Sequence, residues 1–279
     1  MQTVNEYLYD LLERKSNNQQ YNENEKKAYS FMCELLNQWK QKYNSYVWDH
    51  GAIKIDVQLS GSKAKGDAIK GKSDIDLFIS ITDFDNLHTA KDYYYDLYNF
   101  LKPHFPEDCI RLQNVSIGLK YAGCSIDVTP GKKINQQSFR KGRFYTDHYI
   151  YSRKNDKNMQ TNIQEHINLV RNSGLSNEMM LLKIWRNCHG LELPSIAIEI
   201  ITDEVLKQDK TNSLYDNIKK VFEALRDSIL TRKIIDPANS SNNIADSMTL
   251  KEKQEIKNMA AQSLSYDHGD TVTTRKIVW

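Results

Sequence analysis

Asp74 and Asp76 stand two residues apart in Ser73-Asp74-Ile75-Asp76-Leu77-Phe78-Ile79. On a strand, both carboxylates would leave the same face, about 7 Å apart. Two bare carboxylates at that spacing repel each other. A hard divalent cation relieves the repulsion, and Mg2+ prefers oxygen ligands. The run Leu77-Phe78-Ile79 is continuously apolar, which reads as a core strand with the acidic pair at its mouth. Upstream, Gly61-Ser62 directly follows an apolar alternation. Glycine lets a backbone approach a phosphate closely, and serine adds a hydroxyl donor. A helix starting there would aim its first N–H groups at the anion. A third carboxylate, Asp127, lies in Ser125-Ile126-Asp127-Val128. Brought beside the other two, it completes a set able to hold two Mg2+, one activating a hydroxyl and one bearing a triphosphate and its pyrophosphate leaving group.

The elements that must position these groups are legible as periodicities. Ile53, Ile55, Val57 and Leu59 alternate, as do Ile75, Leu77, Ile79 and Ile81, and each set predicts a strand. Residues 61–73, small, polar and basic, form the loop between them, with room for a short helix. Residues 88–102 are expected to be helical. Val115, Ile117, Leu119 and Tyr121 predict a third strand, Ala122-Gly123 a turn, and Cys124–Val128 a returning strand that Pro130-Gly131 ends. Ahead of all these, Ala28, Met32, Leu35, Leu36, Trp39 and Tyr43 make one stripe of an amphipathic helix. Beyond about residue 150 no strand pattern is evident. Helices are expected over 163–173, from Met179 to about Gly190, from Pro194 onward, and over 211–231 and 249–264. Asp236 to Asn243 is rich in turn formers. The expected fold is α+β, a mixed α/β half over residues 1–150 with an N-terminal helix and a helical half over 151–279.

Gly-Ser, a short basic loop, D-x-D on a strand and a third carboxylate on a later strand resemble the DNA polymerase β-like nucleotidyltransferase superfamily. The resemblance implies transfer of a nucleoside monophosphate from a triphosphate to a hydroxyl. Gly61 and Ser62 match its phosphate-gripping pair, and Asp74, Asp76 and Asp127 match its metal-binding, catalytic carboxylates. Glu178 to Trp185, followed by Leu193-Pro194-Ser195 to Glu199, is similar to the helical lobe of 2′-5′-oligoadenylate synthases, cyclic GMP–AMP synthase and the bacterial CD-NTases, as is the loop from Asp236-Pro237 to Asn243. The resemblance implies a sheet lobe and a helical lobe with the active-site cleft between them, and it makes Lys183 and Ser195 contacts of the donor triphosphate. It further implies nucleoside triphosphate substrates, two Mg2+ ions (or Mn2+) and a cyclic or linear oligonucleotide second messenger. Such a messenger, typical of antiphage defence, would act on a downstream effector. Two departures stand out: Asp67 occupies a position where many relatives have Thr, and Ile196 one where many have an aromatic residue. Tyr145, Tyr149 and Tyr151 are candidates for nucleobase contact.

Composition bounds the alternatives. The chain has 279 residues, with 38 Lys plus Arg against 36 Asp plus Glu, for a net charge of +2. That balance disfavours a protein that grips nucleic acid mainly through phosphates, and so disfavours an RNA acceptor of the CCA-adding kind. A non-catalytic nucleotide sensor is the competing reading, opposed by the retention of three clustered carboxylates. Four widely spaced cysteines, Cys33, Cys109, Cys124 and Cys188, show no zinc spacing and read as reduced thiols. No secretory signal and no membrane-length apolar run is seen, so a cytoplasmic protein is expected.

Overall fold

The structure is a computed structural model describing residues 2–16, 21–44, 53–71, 74–134, 138–140 and 143–265. In chain order, helices α1 (Val4–Lys15) and α2 (Glu23–Asn44) precede β1 (Ile53–Leu59), the short α3 (Gly61–Lys65), β2 (Ile75–Asp83) and α4 (Ala90–Leu101). Strands β3 (Ile110–Leu112), β4 (Ile117–Tyr121), β5 (Cys124–Lys133), β6 (Ser138–Arg140), β7 (Arg143–Tyr145), β8 (His148–Ser152) and β9 (Lys157–Thr161) follow. The chain continues through α5 (Ile163–Ser173), α6 (Ser176–Cys188), α7 (Ser195–Leu206), α8 (Leu214–Ser228), the hairpin β10 (Ile235–Asp236) and β11 (Asn239–Asn243), and α9 (Leu250–Ser265).

Two compact units result. The sheet unit comprises residues 19–64 and 73–164. Its seven-stranded sheet runs β1-β2-β5-β4-β3, with β8 joining β5 and β9 joining β8. Only β2 and β5 pair in parallel among these neighbours. Strand β2 is central, which explains its nearly unbroken apolar sequence. Ile75, Leu77, Ile79 and Ile81 face a core shared with Ile126 and Val128 of β5, Trp39 of α2 and Tyr93, Tyr94 and Leu97 of α4. Asp96 ties the two helices together, accepting from Trp39 Nε1 at 2.8 Å, Tyr43 Oη at 2.6 Å and Lys42 Nζ at 2.7 Å. By pleat, Asp76 and Phe78 take the other face.

The helical unit comprises residues 1–18, 65–72 and 165–279. Its core gathers Leu8 and Leu11 of α1, Met179, Leu182 and Trp185 of α6, Ala197 and Ile201 of α7, Val221 and Phe222 of α8 and Ile256 of α9. Trp185 is fully buried and donates to Ser263 Oγ at 3.0 Å, a core role. Ile69, from the segment that follows α3, enters this core and pairs with Ser16.

Several expectations are corrected. Helix α1 escaped the periodicity argument; its sequence signal is a capping box, Thr3 with Glu6, ahead of buried Tyr7, Leu8, Leu11 and Leu12. Strand β5 runs through Pro130-Gly131 to Lys133. Pairing with β4 ends at Val128 and pairing with β8 begins at Gly131, so Pro130 sits in the gap where neither neighbour needs its missing N–H. Strand structure also persists past residue 150 in β8 and β9. Residues 239–243 form a strand, β11, paired with β10. Among the described residues no helix is long and apolar enough to cross a membrane. The four cysteines are free, three of them half-buried and Cys188 exposed.

Candidate active site

Parallel pairing of β2 with β5 sets Asp76 directly opposite Asp127. Neighbouring strands lie about 4.8 Å apart, so the two carboxylates share one sheet face at one level. Asp74 precedes the first residue of β2 and is exposed. It lines the same small concavity as Asp127, beside Arg111, Lys120 and Ser125. Its charge reaches Asp127: burial, then the negative charge of Asp74, pushes the Asp127 carboxyl above the usual carboxylate range. Asp74 and Asp76 thus each come beside Asp127 near the mouth of the β2–β5 pair, one by its charge and the shared concavity and one by strand register. Among the described residues no group of three His, Cys, Asp or Glu side chains is already arranged to hold a metal.

The Gly61 corner closes on this pair. The Ser60 N–H donates to the Asp76 carbonyl at 2.9 Å, extending the β1–β2 ladder by one step. The chain then turns through Gly61 with φ +61°. A Cβ placed on Gly61 would lie 1.8 Å from Asp76 Oδ2, so any side chain there must displace the Asp76 carboxylate. The backbone of Gly61 thus lies directly over the carboxylate, and only glycine permits it. Ser62 follows as the second residue of α3 and is half-buried. A divalent cation fits this chemistry. The donor set is all carboxylate oxygen, Asp127 is held under repulsion that a cation would relieve, and the cradle over Asp76 excludes any side chain.

The basic residues of α3 are engaged in structure. Lys63 Nζ pairs with Glu25 at 2.7 Å and lies 4.5 Å from the centre of the Tyr21 ring, with both charged side chains nearly buried. Glu25 in turn caps α2, accepting from the Asn22 N–H at 2.9 Å. Lys65 Nζ pairs with Glu199 at 2.7 Å inside the helical unit.

Lys183 and Ser195, expected from resemblance to touch a triphosphate, have partners within the helical unit. Lys183 is 3% exposed; its Nζ donates to Asp67 and, at 2.7 Å, to Glu199. Asp67 and Glu199 are both fully buried. Burial opposes ionisation of Glu199, but Lys183 and Lys65 together hold its carboxyl below the usual range. Burial pushes Asp67 up, against the pull of Lys183. Asp67, the departure from the Thr of many relatives, thus supplies the second counter-charge of a neutral buried tetrad. Ser195 Oγ accepts from Arg186 Nη1 at 2.9 Å. Arg186 lines a polar cavity with Gly190, Glu192, Pro194 and Ser247. The side chain of Tyr145 lies outside the described residues. Tyr151 is buried, donating to Asp156 at 2.6 Å, and Tyr149 is exposed.

The chain is similar to known proteins in both sequence and fold. The nucleotidyltransferase domain family matches residues 32–105, from within α2 to just past α4 and including Gly61, Ser62, Asp74 and Asp76. Cyclic AMP-AMP-AMP synthase of Escherichia coli (strain MS 115-1) is 23% identical over an alignment covering 84% of this chain and 81% of that protein. The structure of E. coli MS115-1 CdnC with ATP superposes with a TM-score of 0.70 at 20% identity, over 100% of this chain and 98% of that one. Elizabethkingia meningoseptica CdnE, a cyclic dinucleotide synthase solved with GTP and Apcpp, gives a TM-score of 0.62 at 13% identity, over 85% and 92% of the two chains.

Proposed function

We propose that this chain, which carries a nucleotidyltransferase domain on the fold it shares with the CD-NTase synthases, joins nucleoside triphosphates into a short cyclic or linear oligonucleotide with release of pyrophosphate. The observation that carries the reading is the register of Asp76 against Asp127 beneath the Gly61 corner. Asp74, Asp76 and Asp127 would hold the Mg2+ ions. When bound, such ions acidify an attacking hydroxyl and neutralise charge on the phosphates. The protein's own part is positional. The β2–β5 ladder fixes two carboxylates relative to each other, and the Gly61 backbone keeps side chains away from Asp76. Ser62, next along the chain, offers a hydroxyl to a phosphate oxygen. Lys183, whose Nζ is held by two buried carboxylates, acts in this reading through the folding of the helical unit, while Ser195 Oγ, which accepts from Arg186, keeps its hydroxyl proton for a phosphate oxygen of the donor triphosphate. Similarity to a cyclic AMP-AMP-AMP synthase and to a structure holding ATP supports adenine nucleotides as substrates. The product would signal to a downstream effector, in keeping with antiphage defence.

The test is incubation of the purified chain with labelled nucleoside triphosphates and Mg2+, with and without added RNA. A short phosphatase-resistant product formed without RNA is expected. Extension only of added RNA would replace this reading with a terminal nucleotidyltransferase. Nucleotide binding without any product would replace it with a sensor.

A further inference from the structure

Across the sheet from Asp127, β4 places Gly118 in direct register, and β3 places Arg111 opposite Gly118. The space over Gly118 is filled from elsewhere: a Cβ on Gly118 would lie 2.4 Å from Gln113 Nε2 and 3.1 Å from Arg111 Nε. The Gln113 amide lies across the bare glycine and donates from Nε2 to Asp127 Oδ1 at 3.0 Å. Its other end is fixed too, because Ser116 Oγ donates to Gln113 Oε1 at 2.6 Å. With Oε1 committed to a hydroxyl, only the NH2 side is left to face the carboxylate.

The turn that carries this amide is held on two sides. The Gln113 N–H donates to the Ser116 carbonyl at 3.0 Å. From α4, the fully buried Tyr94 donates through its hydroxyl to the Gln113 carbonyl at 2.7 Å and the Ser116 carbonyl at 3.2 Å. From the β8–β9 side, the Asn114 Oδ1 accepts from Ser152 Oγ at 3.1 Å and the Lys154 N–H at 2.8 Å, and the Arg153 N–H donates to the Asn114 carbonyl at 2.8 Å. A surface glutamine with one stray contact would not be held by so many bonds, nor be given a glycine to lie over.

We infer that Gln113 is a positioning residue for Asp127, part of a relay Tyr94–Ser116–Gln113–Asp127 that holds one carboxylate oxygen and leaves the other turned toward a divalent cation. The inference rests on the reading of Asp127 as a metal-binding carboxylate. A neutral donor suits this task better than Lys or Arg. A cation bonded directly to the carboxylate would compete with the metal, whereas the amide orients the oxygen without adding to the charge that Arg111, in the same concavity, already exerts on Asp127.

The relay is tested by titrating Mn2+ into the intact protein and following free Mn2+ by electron paramagnetic resonance, with thermal unfolding measured in parallel. Gln113→Met keeps the length and removes the donor; it should weaken Mn2+ binding by about tenfold or more with little change in Tm. Ser116→Ala should weaken binding in the same direction but less. The double variant should bind no worse than Gln113→Met alone, because both act through one hydrogen-bonded chain. Unchanged Mn2+ affinity in Gln113→Met overturns the inference whether or not Tm falls, and fully additive losses overturn the relay. Asp127→Asn serves as the reference. If it loses Mn2+ binding while Gln113→Met does not, only the role of Gln113 is refuted. If Asp127→Asn binds Mn2+ like the unaltered protein, or the unaltered protein binds none, the metal-site reading itself falls with it.

Discussion

At the scale of single residues, the site depends on charges that the fold places together against their own repulsion. Replacing Asp74 and Asp76 together with Asn removes two of the proposed metal ligands and one source of that repulsion. Nucleotide transfer should fall by more than about a hundredfold, while Tm stays level or rises. Near-normal turnover in the double variant would refute the carboxylate assignment. Gly61 is the complementary case, since its requirement is spatial. Gly61→Ala must place a Cβ where Asp76 Oδ2 stands, at a φ of +61° that itself costs about 1–2 kcal/mol for an L side chain. Transfer should be lost to a degree comparable with removal of Asp76. Activity near that of the unaltered protein would show that the backbone does not lie over that carboxylate.

At the scale of elements, ionic and polar groups hold segments in place. In the helical unit, Lys183 of α6 joins Glu199 of α7 to Asp67 of the segment after α3, with Lys65 completing the set. Lys183→Met would strand the buried Asp67 carboxylate and leave Glu199 with Lys65 alone, and should destabilise the protein by about 3–5 kcal/mol. Adding Asp67→Leu should recover part of that loss. Denaturant unfolding of the two variants checks it; an unchanged midpoint for Lys183→Met would argue for a lysine free to serve a ligand. In the sheet unit, His148 of β8 is buried, with Nε2 2.8 Å from Ser80 Oγ on β2. Burial, then the charge of Lys133, holds its pKa down to about 4 from 6.5, with Asp147 opposing. The folded protein keeps this ring neutral while the unfolded chain protonates it below about pH 6.5. Stability from this group is therefore complete above pH 6.5 and declines as the pH falls toward 4, by up to about 1.4 kcal/mol per unit. His148→Leu should flatten that part of the pH–stability curve. An identical slope in both proteins would refute it.

At the scale of the whole molecule, the charge balance and the placement of cations limit what can be grasped. The net charge is +2, and Lys63, Lys65 and Lys183 are all paired with carboxylates. A protein so balanced is suited to small, metal-complexed nucleotides rather than to long polyanions. Product formation from triphosphates should therefore proceed without nucleic acid and depend only weakly on salt between about 50 and 200 mM. A strict requirement for RNA or DNA, or a steep loss of rate with salt, would count against this.

The sequence by itself determined the parts whose physics is local. Alternation fixed β1, β2 and β4, three- and four-residue spacing fixed α2, α5 and α6, and the types and spacing of Gly61, Ser62, Asp74, Asp76 and Asp127 pointed to phosphate and metal chemistry. It did not reveal β8 and β9, the passage of β5 through Pro130, or the engagement of Lys183, since each depends on a neighbour remote along the chain. Tertiary structure alone decided that Asp76 meets Asp127, through the parallel register of two strands some fifty residues apart. It also decided that Gln113 lies over Gly118 to reach Asp127, and that Asp67 neutralises a lysine 116 positions away. The physical reason is the range of the interactions. Hydrophobic periodicity is written into consecutive residues, whereas the pairing of buried charges and amides is set only when the core has chosen which segments lie side by side.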